Sequence, residues 1–296
     1  MARRIIKYWF LTNIVISKTQ NNFYYPEDFR LSVNLKEFLS TLPQSVIKGE
    51  EILLPDHLIR KIFSFGGLNE HDIFYDLGCG INNTVAIASK EFNVKRSVGI
   101  EIKRTRCFEA RKKIVDLKNA EIINKDIRKT DLSEATVLFF WFTDSKMIQQ
   151  MVRKFDKELK NNARIITLWS PLNMMLPSQI EFPFFVCKKP FSYAKNIRDQ
   201  IQVIYGNSCI DFTASWLLAE KYIDTLNVVP GQYRRFVNIL QSMIIWINAW
   251  NMGIACEEEI PPPVESYIGI LKTFFDIDLS NNILKNPLSN THNSII

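Results

Sequence analysis

Histidine is nearly missing from this chain: three residues in 296, His57, His71 and His292, stand far apart in sequence. A histidine-rich metal site or a histidine-based nucleophile triad is therefore not expected. Cysteine is also scarce. The five residues Cys79, Cys107, Cys187, Cys209 and Cys256 are odd in number, widely spaced and lack a C-x-x-C pair. Neither a disulfide framework nor a thiolate zinc site is indicated, and reduced thiols in a cytoplasmic protein are the simplest reading. The N-terminus, "MARRIIKYWFLTNIVISK", lacks the small-residue cleavage pattern of a signal peptide. No apolar run is clean enough for a bilayer. Phe236 to Cys256 carries no charge, but Asn238, Gln241, Asn248 and Asn251 fall throughout it and are costly in lipid, so a buried helix is expected and no membrane partner. Internal repeats are absent as well.

What is present suits a globular protein. Hydrophobic residues make up 47% and charged residues 23%, and a net charge of +6 only weakly favours acidic partners. Residues 1–45 read as an N-terminal arm with a helix near Leu35 to Leu42. From Pro55 the pattern sharpens: "PDHLIRKIFSFGGL" starts with proline and an acid, spaces Leu58, Ile59, Ile62 and Phe63 as a helix does, and stops at Gly66-Gly67. Strand candidates then alternate with helices. The strands are Ile73 to Leu77, Ser97 to Ile102, Ala120 to Asn124, Thr136 to Phe142 and Arg164 to Trp169. The helices are Thr84 to Phe92, Arg104 to Lys118 and Ser145 to Leu159. Continuous apolar strands of this kind belong to a parallel sheet covered on both faces, so a doubly wound, Rossmann-like α/β fold with seven mostly parallel strands is expected. Ile180 to Lys188 and Gln200 to Tyr205 read as two further strands, an antiparallel pair closing one edge. Helical patterns at Ile210 to Asp224, Gln232 to Ile254 and Val264 to Phe275 form a C-terminal extension. The expected domains are thus 46–207 for the sheet and 208–280 for the helices, with an Asn- and Ser-rich tail over 281–296 expected to be disordered.

The stretch "IFYDLGCGINNTV" places a glycine turn between a strand and a helix, where backbone N–H groups approach a ligand. A phosphate-binding loop needs Lys-Ser/Thr after Gly80, and none follows. A dinucleotide fingerprint needs glycine where Asn83 stands. S-adenosyl-L-methionine (SAM) fits better, because its ribose and methionine end need no phosphate cradle. Asp76, ending the first strand, suits the ligand's ammonium group. Glu101, ending the second, suits the ribose hydroxyls, and Asp126, after the third, suits the adenine amine. Three acids at three successive strand ends carry the inference; any one alone is weak.

"DLGCG", "VGIEI", "KDI" and "LSEATVLFFWFTD" together resemble class I SAM-dependent methyltransferases. The "GEE" before the proline-started helix, "FNVKRSVGIEI" and "SEATV" narrow the resemblance to the archaeal protein-lysine methyltransferases and the Dot1-like group, over roughly Lys48 to Gly206. The resemblance implies that Asp76, Gly78 and Gly80 shape the methionine pocket, Glu101 holds the ribose, Asp126 lies at the adenine, and Glu50 or Glu51 closes over the cofactor. It also implies a lysine side chain of a protein as methyl acceptor. Asn82 departs from the family's usual glycine; asparagine tolerates left-handed backbone better than most residues, so a working loop is expected. The strand-four end, Phe140 to Thr143, with Trp169, supplies candidate channel walls. Phe140 is read as core; Trp141, Phe142 and Thr143 are the catalytic candidates. Cys79 is read as a small filler.

Two alternatives stay open. The basic stretch over 95–129, including Lys103, Arg104, Arg106, Arg111, Lys112 and Lys113, is ordinarily a solvated face but suits RNA; against that, "FTDS" stands where amino-methylating nucleic-acid enzymes carry N/D-P-P-[FYW]. An acceptor of RNA or a small molecule remains possible on this reading. A non-catalytic interaction protein using Trp246 and Trp250 as its surface is the other. The sequence leaves the oligomeric state unknown.

Overall fold

The structure is a computed structural model and describes residues 53–142, 144–168, 172, 174–226, 231–275 and 277–283. The expected arm with its helix, Glu50 and Glu51, Thr143, Trp169 and the tail from 284 lie outside the described residues. The chain divides into two compact units, one ending at Gly206 and one continuing from Asn207.

In the first unit Pro55 precedes helix α1 (Asp56–Phe65), whose buried face is Leu58, Ile59, Ile62 and Phe63. The alternation then runs β1 (Ile73–Leu77), α2 (Thr84–Lys90), β2 (Arg96–Glu101), α3 (Arg104–Lys112), β3 (Ala120–Asn124), β4 (Val137–Phe140), α4 (Ser145–Glu158) and β5 (Arg164–Leu168). A hairpin of β7 (Gln179–Glu181) and β8 (Phe184–Lys188) completes a seven-stranded sheet. Two short strands, β6 (Met175–Leu176) and β9 (Ser192–Tyr193), pair separately. The order is β3-β2-β1-β4-β5-β8-β7. β1 to β5 are mutually parallel, and β8 and β7 are antiparallel.

Both faces of the central strands are covered, which is why they read as continuous apolar runs. Phe74 points to α1, its ring 4.9 Å from Phe63, and Phe139 meets the same ring at 6.3 Å. The alternate residues Tyr75, Leu77, Leu138 and Phe140 pack the other way, with Met151 and Phe155 of α4. At the opposite end of the sheet from the glycine turn, Asp72 is nearly buried and accepts bonds from Arg164 Nη2 (2.6 Å), Thr136 Oγ1 (2.7 Å) and Asn69 N (3.0 Å). This cluster pins the starts of β1, β4 and β5 together.

Two strand expectations need correction. The run from Ile180 to Lys188 is a hairpin turning at Phe182-Pro183, and Gln200 to Tyr205 is not a strand but part of helix α5 (Ile197–Tyr205). Asn196 caps that helix, its Oδ1 accepting from Asp199 N at 3.0 Å, and Gly206 ends it at φ +78°. The buried Gln200 amide donates to Leu172 O and Met175 O, both at 2.9 Å, an anchorage a strand would not supply.

The second unit contains α6 (Phe212–Leu226), α7 (Arg234–Asn251) and α8 (Pro262–Phe275). Its core gathers Leu240, Met243, Trp246, Ile247 and Trp250 of α7 with Val264 and Leu271 of α8. Trp246 and Trp250 stack at 5.3 Å inside this core, and Trp246 Nε1 donates to Glu257 Oε2 at 3.0 Å. Both indoles are buried, which overturns the reading of them as an interaction surface. Among the described residues no helix is long and apolar enough to cross a membrane. The reduced-thiol reading also fails for two cysteines: Cys209 and Cys256 form a disulfide, their Cα atoms 5.0 Å apart. Backbone pairing brings them together, through Ile210 N to Ile254 O (2.9 Å) and Cys256 N to Ile210 O (3.2 Å). Cys79, Cys107 and Cys187 are buried free thiols.

Candidate cofactor and active site

In this strand order the chain reverses direction across the sheet between β1 and β4, and open α/β sheets bind ligands beyond the strand ends at such a switch point. The glycine turn follows β1 there. Gly78 has φ +85° and Gly80 φ +54°, both in the left-handed region where a side chain strains the backbone. Gly78 is needed twice over, because a Cβ on it would come 2.7 Å from Phe142 Cζ. The turn is fastened to β2: the amides of Gly78 and Cys79 both donate to Ile100 O, at 2.8 and 3.0 Å. Cys79 fills the space beneath, with a Cβ on Gly99 placed 2.8 Å from its Sγ, and burial pushes its thiol far above the ordinary range. It is a filler, not a nucleophile.

Asp76 and Glu101 sit on adjacent strands and both are buried. The Thr84 hydroxyl, in the first turn of α2, donates to Asp76 Oδ2. Burial raises the Asp76 carboxyl to about 7, the Thr84 bond working against that rise and the nearby Glu101 charge adding to it. Glu101 accepts Gly80 N on Oε2 at 3.1 Å and Lys103 N on Oε1 at 2.7 Å, so it braces the glycine turn from below. Asp126 lies at the end of β3, where it caps a short 3-10 turn, Ile127–Lys129. Its carboxylate holds the Arg128 guanidinium, with Nε at 3.0 Å from both oxygens, and that bond keeps its pKa below the usual carboxylate value. The structure thus brings Asp76, Gly78, Gly80 and Glu101 directly together. Asp126 is at the neighbouring strand end, engaged with its own arginine.

Asn82 is not among the residues with positive φ. Its side chain turns away from a left-handed role: Oδ1 accepts from Leu54 N at 2.9 Å. Asn83 Nδ2 donates to Asp56 Oδ1 at 2.7 Å. Beyond β4, Phe142 is half-buried and stacks on the fully buried Phe140, ring centroids 4.9 Å apart, while its edge lies over Gly78. Trp141 is half-buried beside it. Asp144 then caps α4, accepting from Met147 N at 2.9 Å. Thr84, Asn83 and Asp56 were not among the sequence candidates, and Lys113 was considered only as part of the basic stretch. Lys113 Nζ donates to Ile81 O at 2.5 Å, and only the acid-then-hydroxyl spacing of Asp76 and Thr84 hinted at any of the four.

Part of the basic stretch is paired within the protein. Arg96 pairs with Glu121 and Glu134, Lys112 with Glu109, and Arg128 with Asp126. Arg111 donates to Ile122 O, at 3.2 and 2.9 Å.

Comparison with known proteins places this site in a family. The ANTKMT methyltransferase domain matches residues 76–179, which contain the glycine turn, Glu101, Asp126 and the β4 end. A protein-lysine N-methyltransferase of Saccharolobus islandicus is 34% identical over 119 residues, covering 38% of this chain and 71% of that protein. The H3 lysine-79 specific histone-lysine N-methyltransferase of Kluyveromyces lactis is 33% identical over 111 residues, 37% of this chain but only 18% of that protein. Among solved structures, an RNA methyltransferase of Salinibacter ruber in complex with S-adenosyl-L-homocysteine is similar at TM-score 0.45 and 20% identity, covering 49% of this chain and 98% of that one. The chain belongs to the methyltransferase family that includes the Saccharolobus islandicus protein-lysine N-methyltransferase.

Proposed function

We propose that this chain methylates the side-chain amine of a lysine in a protein, with SAM as the methyl donor. The observation that carries the reading is the pairing of two buried acids on neighbouring strands with a left-handed glycine bend, over which an aromatic ring lies. The residues fit the cofactor. Glu101 has two oxygens and about four acceptor positions, of which backbone amides fill two, leaving two for a pair of ribose hydroxyls. Asp76 would meet the ammonium, and the Gly78–Gly80 backbone would lie along the methionine end. Asp126 would meet an adenine amine by giving up part of its hold on Arg128, which occupies both of its oxygens, and Glu50, before α1, is the proposed closing residue. When bound, SAM supplies an activated methyl group.

The protein's remaining task is to present a neutral amine in line and to exclude water. A lysine of ordinary pKa near 10.4 costs about 4–5 kcal/mol to deprotonate at pH 7. An apolar wall of Trp141 and Phe142 would disfavour the charged form and supply part of that, so no histidine base is required. The S. islandicus and K. lactis relatives named for lysine methylation support a protein acceptor. Arg96, Lys112 and Arg128 are paired with neighbouring carboxylates, which takes a part of the basic stretch from a phosphate backbone. Transfer of radiolabelled methyl from SAM into a cell lysate tests the reading. Label that is lost on protease treatment and survives nuclease is expected; label lost on nuclease treatment would replace the protein acceptor with RNA.

A further inference from the structure

We infer that Asn82 and Asn83 are positioning residues: they latch the glycine turn to the chain leading into α1, and this latch sets the affinity for SAM. The inference rests on the proposed reading of the turn as the cofactor site. Four successive residues of the turn are each held from a different place. Gly80 N donates to Glu101 Oε2 at 3.1 Å and Ile81 O accepts from Lys113 Nζ at 2.5 Å. Asn82 Oδ1 accepts from Leu54 N at 2.9 Å, and Asn83 Nδ2 donates to Asp56 Oδ1 at 2.7 Å. The first two ties run to β2 and to the chain just past α3. The second two run across 28 and 27 residues of sequence, to Leu54 just before α1 and to Asp56, its first residue.

Asn82 is there for its side chain, because its backbone does not occupy the left-handed region that would call for asparagine or glycine. Glycine at 82 would remove the acceptor and leave the Leu54 amide, on a buried residue, without it. Fixing Leu54 and Asp56 to the turn therefore holds its far end against the start of α1, so that the backbone which would lie along the methionine end is set before SAM arrives.

The full-length chain and its Asn82→Gly and Asn82→Asp variants would be titrated with SAM by calorimetry, with steady-state kinetics and amide hydrogen exchange alongside. Asn82→Gly is expected to weaken SAM binding by about tenfold, the scale of one lost hydrogen bond, and to raise KM for SAM while kcat at saturation changes little. The Leu54 amide should exchange faster, and Asn82→Asp, which keeps the acceptor, should restore both affinity and protection. Unchanged affinity and unchanged Leu54 exchange in Asn82→Gly overturn the latch. Should Asn82→Gly fold poorly, Asn83→Ala and Asp56→Ala serve instead: strong non-additivity in SAM affinity supports the latch, and simple additivity refutes it. A wild-type chain that binds no SAM defeats the cofactor-site reading itself, a result separate from any difference between variants.

Discussion

Replacing Glu101 by glutamine is nearly isosteric, yet the structure predicts a severe effect. Both carboxylate oxygens face backbone donors, Gly80 N at 3.1 Å and Lys103 N at 2.7 Å, in a site where Glu101 is only 4% exposed. A glutamine amide offers one oxygen and one NH2 group. Whichever way it is turned, a donor faces a donor, and one backbone amide is left buried without an acceptor. That alone costs the unliganded protein about 1–3 kcal/mol. Alanine leaves the same two amides unpaired but opens room for water to reach them, so Glu101→Gln should destabilise the unliganded chain at least as much as Glu101→Ala. For SAM, both variants lose charge-assisted acceptance of the ribose hydroxyls, about 1.5–3 kcal/mol, or roughly ten- to a hundred-and-fifty-fold in Kd. Calorimetric titration with SAM and thermal unfolding without it measure the two effects separately. Glu101→Gln binding SAM as tightly as the wild type would refute the ribose assignment, and an unchanged Tm in that variant would refute the bracing of the turn.

Gly78→Ala places a side chain at φ +85° and within 2.7 Å of the Phe142 ring, so it should cost about 1–2 kcal/mol of strain before the clash and weaken SAM binding more than tenfold. Adding Phe142→Ala should recover part of the stability but not the affinity; full recovery of both would remove Phe142 from the site. Asp76 is raised to about 7 by burial, above the ordinary carboxyl value of 3.8. Its contribution to stability is therefore complete below that ordinary value and is lost as pH rises through about 7, so the unliganded Tm should fall over that window and Asp76→Asn should flatten the slope. An ammonium beside Asp76 favours the ionised form, so SAM binding below pH 7 should release a proton from this group, read as a dependence of binding enthalpy on buffer ionisation; no such dependence would place the ammonium elsewhere. Asp72→Ala strands the Arg164 guanidinium and should lower stability by about 3 kcal/mol, seen as a shifted urea midpoint, with SAM affinity of the folded protein unchanged.

The five parallel strands and their helices were legible because burial on both faces leaves an unmistakable apolar run, and the glycine turn was legible because left-handed backbone restricts the residue type. Helix α5 misled because "IQVIY" is β-branched and aromatic, as strands are. The contrary signal lay outside the run, in Asn196 and Gly206, the cap residues on either side of the nine-residue helix. The disulfide could not be read from spacing: Cys209 and Cys256 are 47 residues apart and meet only through the pairing of Ile210 with Ala255. Asn82 was legible as an exception to the family's glycine but not in its role, since the Leu54 amide it serves carries no mark in the sequence. Asp126 was placed correctly at a strand end, while its arginine partner two residues on changes what it offers a ligand.

These particulars bear on what the site demands of its ligand. Glu101, Gly78 and Gly80 are held by the protein before anything binds: the carboxylate by two amides, the glycines by Ile100 and by Glu101 itself. Groups that are already fixed, and still have acceptor positions or backbone surface to offer, require little reorganisation on binding and favour the nucleoside part of any adenosine compound alike. Asp76 differs. Among the described residues its hydrogen-bond partner is one hydroxyl, and burial keeps it mostly protonated below about pH 7, a balance that an arriving positive group would tip towards the ionised form. If the ammonium lies at Asp76 as proposed, the part of the pocket that would distinguish an amino-acid nucleoside from plain adenosine is an acid whose charge the described surroundings do not themselves support. On that assignment, selectivity for the methionine end would follow from leaving the acid half-satisfied, and a second hydrogen-bond donor placed beside it would stabilise the fold while making the pocket less able to tell the two ligands apart.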